Sequence, residues 1–330
     1  MRAYLYKGEN MLQIVVPLIA AFAVSVLLGP VVIPWLKKLH ASQTERDYLK
    51  THVAKNGTPT MGGIMILAGL LVGTLIGAAK YPKVLPILVL AIGFGIIGFL
   101  DDFLKVALHR TDGLFPWQKM LLQIIVTTIF AVWLIKFTDV DLAIMIPFTS
   151  QNLVNIPEWL AIVILYFAVL GTVNGTNFTD GLDGLASSVT IVVAVFFMIA
   201  SLLLDGDIEP VCAAMAGALC GFLVYNHYPA KVFMGDTGSL ALGGFVAGAA
   251  YLLHMPIFIL IAGFIYLIEV VSVILQVGVF KLTHGKKRLF KMAPIHHHFE
   301  KSGYSEKQIV IAFTLVTVGC CAVALLGLIL

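Results

Sequence analysis

Charge is what this sequence has least of. Lys, Arg, Asp and Glu make up 12% of its 330 residues, about half the share in a soluble globular chain. So few charges cannot cover a surface that faces water on every side, which excludes a soluble enzyme. A hydrophobic content of 60% excludes a disordered tail as well. Cysteine is scarce too. Cys212, Cys220, Cys320 and Cys321 all lie inside apolar runs, so they read as membrane-packed thiols and not as a disulfide or zinc framework. A net charge of +3 is too small to suggest nucleic acid. No cleavable signal peptide is expected, because Lys37 and Lys38 follow the first apolar stretch where a small-residue cleavage site would stand. Internal repeats, low-complexity tracts and a second domain are also missing, so residues 1–330 read as a single integral-membrane domain.

What the chain does have is apolar sequence in lengths that suit a bilayer, whose hydrocarbon core takes roughly 20 residues of helix. Apolar runs stand at about 12–36, 62–79, 84–100, 120–137, 159–175, 185–204, 210–225, 239–253, 257–280 and 308–330. They predict an all-α polytopic membrane protein with ten transmembrane helices, and an even number puts both termini on one side. With the N-terminus outside, the inner loops 37–61, 101–119, 176–184, 226–238 and 281–307 hold 16 of the 21 Lys and Arg residues, and the outer parts hold 5. That asymmetry makes both termini extracytoplasmic. Trp35, Trp117 and Trp159 fall at predicted helix ends, where interfacial aromatics belong. The outer segment 138–158 is too polar to span and predicts a small extracytoplasmic hairpin on the membrane surface.

The unusual residues gather in the inner loops. Asp101 and Asp102 close the third run in GFLDDFLK. A carboxylate there is costly unless it is solvated, paired or metal-bound, and two at a helix C-terminus oppose the helix dipole, which favours a cation partner. Asp180 and Asp183 stand three apart in TDGLDG, with Asn177 just before them. They can share a helix face or converge on a cation in a Gly-rich turn, and Asp183 can equally be the N-cap of the helix that starts near Leu185. In VFMGDTGS, two glycines flank Asp236 and Thr237 ahead of a helix predicted to start at Ser239. Asp236 could hold Mg²⁺ there, and Phe233 could stack on a flat ring or simply pack. His296, His297 and His298 are consecutive, a poor arrangement for one metal and a better one for phosphate binding or proton transfer. Glu269 lies mid-span in the run from Ile257 to Phe280. It is a functional candidate by its depth, or a polar partner across a helix interface. The long run itself can be tilted or bent. Carboxylates for a metal, cationic and imidazole groups for a diphosphate, and a lipid phase beside them suit phosphoryl transfer.

KNGTPTMGG (55–63), GFLDDFLK (98–105), NFTDGLDGLA (177–186), YNHYPAKVFMGDTGSLALGG (225–244) and PIHHHFE (294–300) together resemble the polyprenyl-phosphate N-acetylhexosamine-1-phosphate transferase superfamily. Within it, GTPTMGG and PIHHHFE resemble the phospho-N-acetylmuramoyl-pentapeptide transferase branch. The resemblance implies a Mg²⁺-dependent enzyme of the bacterial plasma membrane with its site facing the cytoplasm. It implies UDP-MurNAc-pentapeptide as donor, undecaprenyl phosphate as acceptor, UMP and lipid I as products, and a homodimer with a bent ninth helix. By motif match, Asp236 is the Mg²⁺ ligand and Asp101 and Asp102 lie near the reacting phosphates, with Asp101 activating the lipid phosphate. Asn177, Asp180 and Asp183 line the nucleotide–sugar site, Phe233 stacks on uracil and Asn226 lies close by. Lys55, Thr60 and Lys119 contact the nucleotide or its phosphates, and His296, His297 and His298 meet the diphosphate and the sugar–peptide, with His297 among the catalytic set. A sister transferase using UDP-GlcNAc is the nearest alternative. A secondary transporter is the alternative from another class, although transporters place their site near the midplane.

Overall fold

The structure, a computed structural model, describes residues 2–39, 57–108, 112–138 and 140–330. It is helical apart from one hairpin. In chain order the elements are α1 (Arg2–Lys38), α2 (Gly63–Ala78), α3 (Val84–Ala107), α4 (Pro116–Phe137), β1 (Ile144–Met145), β2 (Leu153–Val154), α5 (Glu158–Thr179), α6 (Leu185–Leu204), α7 (Glu209–Asn226), α8 (Gly235–Leu252), α9 (Ile259–Ala262), α10 (Phe264–Leu282), α11 (Ile295–Glu300) and α12 (Glu306–Ile329). Among the described residues, eight helices are long and apolar enough to cross a membrane. The two other expected spans are present as helices of a different kind. α2 has only 16 residues. α8 is rich in Gly and Ala, and every one of its residues except Asp236 is buried. A helix that meets only other helices needs small residues more than hydropathy.

α8 is the axis of the bundle and packs on α3, α5, α2 and α6. Small residues set the approach. A Cβ on Gly244 would lie 2.9 Å from the Leu90 carbonyl oxygen, and one on Gly243 would lie 2.3 Å from Val173 Cα. α1 packs on α2 and α7 in the same way: a Cβ on Gly217 would lie 2.1 Å from the Leu18 carbonyl oxygen, and one on Gly221 would lie 2.7 Å from that of Phe22.

Three differences from the sequence expectation bear on the site and the helix beside it. α3 runs on to Ala107, so Asp101 and Asp102 stand inside the helix and not at its C-terminus. α8 begins at Gly235, which places Asp236 in its first turn. The long run after residue 256 is broken: a short turn over Pro256–Phe258 leads into α9, and Gly263 (φ −93°, ψ 24°) separates α9 from α10. The expected bend is thus a full interruption at a glycine.

The expected hairpin is there. β1 and β2 pair antiparallel, Ile144 with Val154 and Met145 with Leu153. Met145 N–H donates to the His254 carbonyl (2.7 Å) and Phe148 N–H to that of Gly327 (2.7 Å), which anchors the hairpin beside the C-terminal ends of α8 and α12. Asp236 is at the other end of α8. The 18 residues of that helix span about 27 Å, close to the thickness of a bilayer's hydrocarbon core.

Candidate functional site

The site starts from two glycines. A Cβ on Gly98 of α3 would lie 2.0 Å from the Asp236 carbonyl oxygen, so only a bare Cα lets the lower end of α3 meet the first turn of α8. Gly235 has φ +67°, a left-handed conformation that glycine adopts without strain. A Cβ there would lie 2.5 Å from Asp102 Oδ2 and 2.6 Å from Thr60 Oγ1. These contacts bring the acidic end of α3 under the N-terminus of α8.

Asp102 uses that placement as a cap supplied from another helix. Its Oδ2 accepts from Thr237 N–H (2.9 Å) and from Thr237 Oγ1 (2.7 Å), and its Oδ1 accepts from Asp236 N–H (3.2 Å). The first N–H groups of a helix have no partner within it, and its N-terminus favours negative charge. The adjacent carboxylates therefore do not oppose their own helix dipole, as α3 continues past them. Asp102 faces the favourable end of α8.

Asp101 accepts from Leu114 N–H at Oδ1 (2.8 Å) and pairs with Lys105 Nζ at Oδ2 (2.6 Å). The same ammonium lies 3.1 Å from Asp236 Oδ2, and Lys119 Nζ from the start of α4 lies 2.8 Å from that oxygen. Asn177 in α5 donates to Asp236 Oδ1 (2.8 Å) and to Ser239 Oγ (2.9 Å). Ligand oxygens of Asp101, Asp102 and Asp236 all lie within 4.8 Å of one another. Three carboxylates against two ammonium groups leave a formal excess of one negative charge when all are ionised. Their hard oxygen donors are of the type that Mg²⁺ takes. Thr60, 3% exposed, adds a hydroxyl at Gly235 whose oxygen has no hydrogen-bond partner.

Phe233 carries the 57–63 segment to this point. Its N–H donates to the Pro59 carbonyl (2.8 Å) and its carbonyl accepts from Gly62 N–H (2.8 Å). Lys55 lies outside the described residues.

A second group adjoins the first through the turn after α5. Asp183 does not join the carboxylate trio, and its side chain does not cap α6. Its Oδ2 accepts from Ala230 N–H (2.9 Å) and its own N–H reaches Glu306 Oε2 (3.4 Å). The residue ahead of α6 is Gly184, at φ +77°. Asn226 binds the start of α6: Oδ1 accepts from Gly184 N–H (3.1 Å) and Ser187 Oγ (3.3 Å), and Nδ2 donates to the Val232 carbonyl (3.0 Å). Both of its polar atoms thus serve the scaffold. Asp180 ends α5, with its N–H 3.3 Å from the Asn177 carbonyl oxygen. His296 packs on the same turn at Gly181. His297 Nδ1 lies 2.6 Å from Glu300 Oε2, and His298 Nδ1 accepts from Lys291 N–H (3.1 Å).

The sequence motifs do not mark Lys105 or Thr237 as site residues. Lys105 is within reach of the sequence, since it follows Asp101 at the i,i+4 spacing of a helical ion pair. Thr237 is not, because its role depends on a carboxylate from another helix.

Residues 84–254 match the glycosyl transferase family 4, and residues 55–67 match phospho-N-acetylmuramoyl-pentapeptide-transferase signature 1. Proteins of that name from Acetivibrio thermocellus and Clostridioides difficile are each 46% identical to the chain, over 313 and 301 residues. The first alignment covers 94% of both chains; the second covers 90% of this chain and 92% of the relative. A Clostridium botulinum protein of the same name is 45% identical over 315 residues, covering 94% of this chain and 95% of its own.

Proposed function

The chain belongs to the phospho-N-acetylmuramoyl-pentapeptide-transferase family, and on that footing we propose that it transfers phospho-MurNAc-pentapeptide from UDP-MurNAc-pentapeptide to undecaprenyl phosphate. The products are lipid I, for peptidoglycan synthesis, and UMP. The observation that carries this reading is the meeting of Asp101, Asp102 and Asp236 with Lys105 and Lys119 at one end of the bundle. Phosphoryl transfer is chiefly a matter of positioning and of charge.

In the proposed single step, a phosphate oxygen of undecaprenyl phosphate attacks the β-phosphorus of the donor. The new P–O bond forms as the bond to the oxygen bridging the two phosphorus atoms breaks, and UMP leaves with the electron pair. Asp101 orients the acceptor phosphate and takes its proton when it arrives protonated. Lys105 and Lys119 swing from the carboxylates to the diphosphate oxygens. Asp236, with Asp101 and Asp102 beside it, would hold Mg²⁺, which supplies charge neutralisation and a template for the diphosphate. The close carboxylate oxygens and the unpartnered Thr60 hydroxyl fit such an ion. Asn177, Asp180 and Asp183 face the nucleotide–sugar, Phe233 its uracil, and Lys55 its phosphates. Asn226 shapes the site from behind. His296, His297 and His298 serve the diphosphate and the sugar–peptide.

We place the carboxylate end at the cytoplasmic face of the bacterial plasma membrane, with ten crossings, both termini outside and a homodimer as the assembly. The Lys and Arg asymmetry supports the orientation. In that orientation the hairpin, at the opposite end of α8 from Asp236, lies outside.

The test is UMP release by purified protein given UDP-MurNAc-pentapeptide, undecaprenyl phosphate and Mg²⁺. Release that stops with chelator and returns with Mg²⁺ is the expected result. A donor panel in which UDP-GlcNAc is used and the muramoyl donor is not would move the chain to the sister activity. Substrate uptake into vesicles without UMP release would make it a transporter. A trapped phosphoryl group on Asp101 or Asp102 would replace the single step with two.

A further inference from the structure

Glu269 has no place in the reaction above, yet it stands inside α10 with 0% exposure. A carboxylate at such depth is costly unless another group meets it. The group that meets it comes from α11. His296, itself 1% exposed, has Nδ1 at 3.1 Å from Glu269 Oε1.

The far edge of that imidazole is equally well defined. A Cβ on Gly181 would lie 2.1 Å from His296 Nε2 and 2.5 Å from Cε1, so the ring rests on the bare Cα of the TDGLDG turn. Glu269, His296 and Gly181 therefore form a continuous strut from a helix inside the membrane to the turn that carries Asp180 and Asp183. His296 Nε2 and Glu269 Oε2 are both buried without a hydrogen-bond partner. The pair is thus held by one contact, between Nδ1 and Oε1. The neighbouring ring follows it: the His296 and His297 centroids are 4.1 Å apart.

An ionised carboxylate accepts hydrogen bonds and donates none, so the contact to Oε1 requires a proton on Nδ1. A carboxylate in this position fixes both the tautomer and the orientation of a histidine. We infer that Glu269 is a positioning residue of the transfer reaction. It keeps the proton of His296 on Nδ1 and seats the ring on Gly181. That sets how α11, and with it His297, meets the Asp180–Asp183 turn. Glu269 touches no reacting atom. Its effect on rate rests on the transferase reading, whereas the protonation of His296 is measurable with no substrate present.

The experiment uses full-length protein in lipid, labelled with ¹⁵N-histidine, and solid-state NMR. The His296 resonances are identified by their loss in His296→Asn. Wild type should show Nδ1 protonated. Glu269→Gln keeps an oxygen that accepts from Nδ1–H, and Glu269→Leu removes it. The Leu variant should lose the Nδ1–H signature and about 10- to 100-fold in kcat, the usual cost of removing the group that orients a functional histidine. Its KM for UDP-MurNAc-pentapeptide should rise as well, because the histidines and the Asp180–Asp183 turn both meet the donor. The Gln variant should keep the signature and lie within about fivefold of wild-type kcat. An unprotonated Nδ1 in wild type, a Leu variant with wild-type kcat, or a Gln variant no better than the Leu variant would each overturn the inference. If the Leu variant does not fold, the wild-type spectrum and the Gln variant still decide it. Wild type that releases no UMP from this donor would instead overturn the function proposed above, and the spectrum would stand apart from that failure.

Discussion

Asp102 holds Thr237 twice, at the backbone N–H (2.9 Å) and at Oγ1 (2.7 Å), across a sequence separation of 135 residues. One carboxylate thereby caps the central helix and fixes where Asp236, the next residue back, presents its side chain. Thr237→Val removes the hydroxyl and leaves a buried carboxylate short of a donor. It should destabilise the protein by about 1.5–3 kcal/mol, as expected for a hydrogen bond to a charged group. Thr237→Ser should restore most of that. Thermal unfolding in detergent compares the two, and equal midpoints for Val and wild type would rule out the hydroxyl contact as a stabilising one.

Asp236→Asn keeps the shape of the side chain and removes the charge facing Lys105 and Lys119. Turnover should fall by roughly 100-fold or more, the scale of losing one preorganised electrostatic group. The protein should still elute as a single species. Near-wild-type UMP release would show that Asp236 is not the metal ligand.

Lys119 competes with any cation for Asp236 Oδ2, which it approaches to 2.8 Å. Lys119→Met should therefore lower kcat while reducing the Mg²⁺ concentration needed for half activity, by roughly tenfold if about 1.4 kcal/mol of competition is relieved. A Mg²⁺ titration at saturating donor reads both. An unchanged or higher requirement would mean that the ammonium and the ion do not share the oxygen.

Gly98→Ala puts a methyl group 2.0 Å from the Asp236 carbonyl oxygen and 2.5 Å from Thr237 N. The contact is with backbone, so neither helix can yield locally, and α3 must move away from α8. The cost in stability should be about 1–3 kcal/mol, with a loss of activity larger than that of Thr237→Val, because the carboxylates separate. UMP release and the unfolding midpoint, measured on both variants, test that order.

Asp183→Asn retains an oxygen able to accept from Ala230 N–H, now 2.9 Å from Asp183 Oδ2. Stability should change by less than about 1 kcal/mol. A drop in turnover of about tenfold or more would then report a charge facing the donor substrate, in keeping with the role of outer polar groups in such sites. Wild-type turnover would confine Asp183 to the scaffold.

Much of this protein follows from local composition. The apolar runs mark where helices stand, because a bilayer selects lengths of about 20 apolar residues wherever they occur in a chain. The polar stretch 138–158 marks the hairpin, and Asp101, Asp102, Asn177 and Asp236 stand out in their motifs. Lys105 was legible in its spacing from Asp101. Which of the acidic groups converge was not legible. Asp101, Asp102 and Asp236 meet because Gly98 and Gly235 let two helices touch, whereas Asp183, equally prominent in the sequence, is turned toward Ala230. The role of Glu269 stayed open for the same reason: its partner His296 is 27 residues away on another helix. Hydropathy acts on each segment by itself. The pairing of buried charges depends on how closely segments cross, and that is decided only when the helices pack.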